Sequence, residues 1–141
     1  MDIHINKVQT TTLLNAIRYF EYFVENEVLN DSDTLNNKEK EIIEIDNLLQ
    51  EIYDDLFLEI YNVLNLDVQS ISALLSALSV YISAVENNIK TPQNIKQTKS
   101  EKDLTLRNAS ELQEYLFENL ANLDPAALVK EFNILPNTDW R

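Results

Sequence analysis

The sequence predicts an all-α fold: a single helical bundle of four principal helices plus a short C-terminal helix. Three observations carry that expectation. Apolar residues recur at helical spacing through most of the chain, only one weak strand candidate exists, and glycine is absent from all 141 residues. A chain of average composition would hold roughly ten glycines, the residues that supply positive φ and let backbone approach backbone or ligand. At 16.4 kDa and 45% apolar content, one domain spanning 1–141 is expected, burying about two-thirds of its unfolded surface.

Residues 2–9 alternate weakly at Ile3 and Ile5 and read as an extended terminus with no second strand to pair with. The first helix is expected from about Thr11 to Leu29. Leu13, Leu14, Ile17, Phe20, Phe23, Val24 and Val28 recur there at i, i+3, i+4 and i+7. Asn30-Asp31-Ser32-Asp33 gives a polar break. The second helix is long, from Leu35 or Asn37 to Leu64, with Ile42, Ile45, Leu49, Ile52, Tyr53, Leu56, Phe57, Ile60 and Leu64 on one stripe. Asp46 falls inside that stripe, and its expected place is near the helix start, where the carboxylate reaches solvent.

Asp67 is the expected N-cap of the third helix, which must end before Pro92. One side carries Ile71, Leu74, Leu75, Leu78, Tyr81, Ile82, Val85 and Ile89. The other carries Ser72, Ala73, Ser76, Ala77, Ser79, Val80, Ser83 and Ala84. The polar stretch 91–103, with Lys96, Lys99 and Lys102, reads as a flexible connection. A fourth helix follows from Ala109 or Ser110 to Leu123, with Ser110 and Gln113 at capping-box spacing and Leu112, Leu116, Leu120 and Leu123 as its stripe. Asp124 and Pro125 open the short fifth helix, with Leu128, Val129 and Phe132 facing inward.

Composition excludes much chemistry. No glycine means no phosphate-binding loop, dinucleotide fingerprint or nucleophile elbow. No cysteine means no thiolate nucleophile, thiolate zinc site or disulfide, and the lone His4 cannot build a multi-histidine metal centre. Glu41-x-x-Glu44 and Glu51-x-x-Asp54 have the spacing that magnesium-dependent helical pyrophosphohydrolases place on two facing helices. Here both sit on one continuous helix and cannot enclose an ion from two sides. A carboxylate metal enzyme is therefore the third-ranked reading, and no catalytic residue, metal or cofactor is assigned.

Val68 to Val85 is a run of 18 uncharged residues, the lower limit for a membrane span. Five serines, one glutamine and the acidic flanks Asp67 and Glu86 argue for a buried helix instead. The opening MDIHINKVQT lacks the apolar core of a secretory signal, which predicts a cytoplasmic protein with no membrane association.

Net charge is −13, and residues 1–66 hold 14 acids against Lys7, Arg18, Lys38 and Lys40. Such a field repels nucleic acid and attracts cationic partners. The expected function is a small acidic, non-catalytic binding protein that masks or inhibits a basic partner, such as a nucleic-acid-binding protein, as an immunity protein, antitoxin or phage-encoded inhibitor would. Glu41, Glu44, Glu51, Asp55 and Glu59 form the candidate partner-binding stripe, with Tyr19, Tyr22 and Tyr61 as aromatic anchors. The alternative is a structural protein that self-associates as a homodimer through Ser72, Ala73, Ser76, Ala77, Ser83 and Ala84.

Overall fold

The computed structural model describes residues 2–28, 37–58, 63–87 and 98–123. Its elements run β1 (Asp2–His4), α1 (Lys7–Phe23) continuing as a π-helical turn (Val24–Val28), α2 (Asn37–Leu58), β2 (Val63–Asn65), α3 (Val68–Glu86) and α4 (Lys99–Leu123). Helix makes up 88% of this, so the fold is all-α with one minimal sheet. The expected fifth helix at Asp124 and Pro125, the polar break at 30–33, Glu59, Tyr61 and the 91–97 part of the expected connection lie outside the described residues.

The sheet corrects the expectation of an unpaired terminus. β1 and β2 are antiparallel, with Ile3 opposite Leu64, Asp2 opposite Asn65 and His4 opposite Val63. Ile3 and Ile5 alternate with exposed neighbours, and so do Leu64 and Leu66. All four side chains are buried. Burying that face fixes the register, because a one-residue slip would turn every apolar side chain to water. Asn65 Nδ2 donates to Asp2 Oδ1 at 2.9 Å, and Tyr115 Oη on α4 donates to the His4 carbonyl at 3.0 Å, so the strand pair is tied to the bundle.

α1 starts at Lys7, earlier than expected, because Asn6 caps it. The Gln9 N–H donates to Asn6 Oδ1 at 2.8 Å, and the Asn6 N–H donates to Gln9 Oε1 at 2.9 Å. This reciprocal box satisfies two otherwise orphaned donors. α4 likewise starts at Lys99 rather than at 109 or 110. Thr98 Oγ1 accepts from the Glu101 N–H at 3.2 Å and donates to Glu101 Oε1 at 3.1 Å. Residues 99–103 are therefore helix, not connection. Gln113 is no capping residue; its Nε2 donates to Ser79 Oγ on α3 at 2.8 Å, joining two helices.

α3 is the centre of the bundle and packs against α1, α2 and α4. Ile71 through Leu78 are eight consecutive buried residues, more than two turns, so every side of the helix is covered there. Alanine and serine make this possible by letting neighbouring helices approach where larger side chains would hold them apart. Asp67 is the N-cap, with Oδ1 accepting from the Ser70 N–H at 2.8 Å, a bond that holds its carboxyl below the ordinary 3.8. By length and composition α3 could cross a membrane, at mean hydropathy 1.6, but 67% of that stretch is buried inside the fold. It is a core helix. α1 supplies Leu13, Ala16, Ile17 and Phe20, α2 supplies Ile42, Leu49, Ile52 and Leu56, and α4 supplies Ala109, Leu112, Leu116 and Leu120. Leu123, expected on the α4 stripe, is exposed instead.

Candidate functional site

The apolar stripe of α2 turns inward, which leaves Glu41, Glu44, Glu51 and Asp55 exposed on the outer side, with Asp54 beside them. None of the first four has an ion-pair partner among the described residues, although Lys38 and Lys40 stand exposed at the start of the same helix. Like charges four residues apart on a helix destabilise it by a few tenths of a kcal/mol, and Glu51 with Asp55 is such a pair.

Those two carboxylates also border a recess of about 360 Å³ between α2, β2 and the first turn of α3. Ile52, Leu64 and Leu66 line it and are buried in the core, while Ser70 contributes a hydroxyl near the α3 N-terminus. The recess thus joins a floor that includes buried apolar residues to a polar rim with two carboxylates. A lysine or arginine side chain has matching parts, an apolar stem and a charged head. The sequence reading missed this concavity because it continued the second helix through Leu64. The signal that could have found it is the alternation Leu64, Leu66 matching Ile3, Ile5.

Of the aromatic anchors, Tyr22 is exposed at 38%. Tyr19 is buried at 4%, its ring 6.0 Å from that of Tyr22 and 6.3 Å from that of Tyr81, so it is core and cannot be a surface anchor. α1 is covered over a wide arc by α2, α3 and α4, and Tyr19 falls inside it.

The small-residue side of α3 is corrected too. Ser72, Ala73, Ser76, Ala77 and Ala84 are all buried within one chain, and Ser83 is half-buried. The chain's own helices cover most of that side. Ser76 Oγ donates to the Ser72 carbonyl at 3.0 Å, whereas Ser72 Oγ is enclosed without a partner.

Asp46 lies well inside α2 and is half-buried, not at a solvated helix start. Burial pushes its carboxyl above the ordinary 3.8, Gln50 opposes this through an Nε2 donation at 3.2 Å, and the negative charges of Glu21 and Glu25 push it up further. Among the described residues, no three histidine, aspartate or glutamate side chains converge as metal ligands. Set against known protein families, curated proteins and solved structures, the chain matches none.

Proposed function

We propose that the protein is a non-catalytic binding protein that covers a basic surface of a partner protein, using the outer face of α2. One observation carries the reading: Glu51 and Asp55, exposed and without ion-pair partners, edge a recess lined by Ile52, Leu64 and Leu66. A lysine or arginine of the partner enters there, its stem on the apolar lining and its cation at the two carboxylates. Glu41 and Glu44 extend the negative face along the helix and steer the encounter, and Tyr22 stands as an exposed aromatic contact. The net charge of −13 favours a cationic partner over nucleic acid or an anionic lipid surface. A partner that itself binds nucleic acid would have its phosphate-contacting surface masked, the mode of action of an immunity protein, antitoxin or phage-encoded inhibitor.

The test is the triple reversal Glu44→Lys, Glu51→Lys and Asp55→Lys, compared with wild type in partner capture from the native host at low and high salt. The supporting result is a basic protein that wild type retains, the variant loses and salt weakens, with helicity unchanged in the variant. Lysine is a good helix former, so α2 should persist. A partner held equally well by both proteins refutes the assignment of this face.

A further inference from the structure

A second cavity, about 300 Å³, lies where the first turn of α1 meets α3 and α4, and shares no lining residue with the recess at Glu51 and Asp55. Lys7, Val8, Thr11, Asn15, Tyr81 and Asn108 line it. Among the described residues, no carboxylate lines this cavity and one ammonium does, in a chain with 24 acidic residues.

Tyr81 is the informative residue. It is 2% exposed, yet its hydroxyl has no hydrogen-bond partner among the described residues. Buried tyrosine hydroxyls ordinarily find a partner, because leaving one unmade is costly. Ser72 Oγ is the one described side-chain polar atom that is wholly enclosed and unpartnered, so the Tyr81 hydroxyl meets accessible space. Tyr81 is among the residues that line this cavity. Burial pushes the phenol above its ordinary pKa of 10, so it remains a donor at neutral pH. Asn15 and Asn108 are half-buried, and their amides also have no partner among the described residues. The N-terminal end of α1 adds the positive pole of its dipole and first-turn N–H groups without an intrahelical acceptor.

We propose that this cavity is a binding site for a small organic carboxylate, whose anionic group lies between Lys7 and the Tyr81 hydroxyl and whose body rests on the exposed Val8 side chain. The asparagine amides supply the remaining donors. Lys7 sets the charge preference, and Tyr81 distinguishes an acceptor from an apolar group.

The probe is 4-fluorobenzoate, titrated into the full chain and followed by fluorine and amide NMR. The expected result is saturable shifts at Lys7, Val8, Asn15 and Asn108, with an affinity of about millimolar, the range for a ligand of about ten heavy atoms. Lys7→Gln and Tyr81→Phe should each weaken binding by about tenfold, as expected when a hydrogen bond to a charged group is lost. The neutral 4-fluorobenzamide should bind far less well. Absent or non-saturating shifts at these residues overturn the proposal. Wild-type affinity in either variant, or equal affinity for the amide probe, does the same.

Discussion

Replacing Ala77 with glutamate tests the central position of α3. Ala77 is wholly buried, between Ser76 and Leu78, which are buried as well. Two penalties act together. Extra atoms in a filled core cost about 1–3 kcal/mol, and an uncompensated buried charge costs about 3–5 kcal/mol. Against a total stability of roughly 5–15 kcal/mol for a domain, Ala77→Glu should leave the protein marginal or unfolded at neutral pH. Ala77→Gln adds nearly the same bulk without a formal charge, so the difference between the two isolates electrostatics. The introduced carboxyl has an unfolded pKa of about 4.3, and burial raises the folded value. Its electrostatic penalty is therefore complete above the folded pKa and fades as pH falls to the unfolded one, by about 1.4 kcal/mol per pH unit between them. Urea denaturation followed by circular dichroism, repeated from neutral pH down to about pH 4, measures both variants. If Ala77→Glu stays within about 0.5 kcal/mol of wild type, the span of ordinary surface changes, then α3 is not covered on this side and the packing described here is wrong.

Three further outcomes are expected. Thr98→Ala removes the side-chain cap of α4 and should cost about 1 kcal/mol, with faster amide exchange confined to the first turn of α4; unchanged exchange there would refute the capped start. Leu112→Ala, at a fully buried position facing α3, should cost about 2–5 kcal/mol by the same denaturation assay, and a loss below 1 kcal/mol would contradict its burial. Asp46→Asn should raise the unfolding midpoint at neutral pH. The folded pKa of Asp46 is raised, so the native state is penalised increasingly as pH rises from the ordinary value to the folded one, and fully above it. The gain should shrink as pH falls from the raised folded pKa toward 3.8, the ordinary value, and be lost below it; a pH-independent effect would mean that Asp46 is not desolvated.

The helices were legible because their signals are local. Asp67 as N-cap, the α2 stripe from Ile42 to Leu56 and the outward carboxylates Glu44, Glu51 and Asp55 follow from spacing alone. Helix starts were harder where two local signals competed. The alternation at Ile3 and Ile5 concealed the Asn6–Gln9 box, and the lysine-bearing polarity of 91–103 concealed the Thr98 cap on Glu101. Features that depend on distant residues were not legible. The pairing of Ile3 with Leu64 defines β2, and only then does a recess exist beside Glu51 and Asp55. The burial of Tyr19, and of Ser72 and Ala77, depends on how many neighbours surround α1 and α3, which a helical wheel does not encode.

Strand β2 has two occupations: it pairs with β1, and it walls the recess under Glu51 and Asp55. Those occupations are thermodynamically joined. Whatever settles in the recess must make the strands harder to part, and by the same free energy a parted strand pair must bind it more weakly. A three-residue ladder in a helical bundle is also the sort of contact that opens locally, without global unfolding. Tension applied at Asp2 acts first on this short pairing, and through β2 on the wall of the recess. The pairing of the first few residues and the shape of a recess walled by residues 63–66 are, in this fold, coupled.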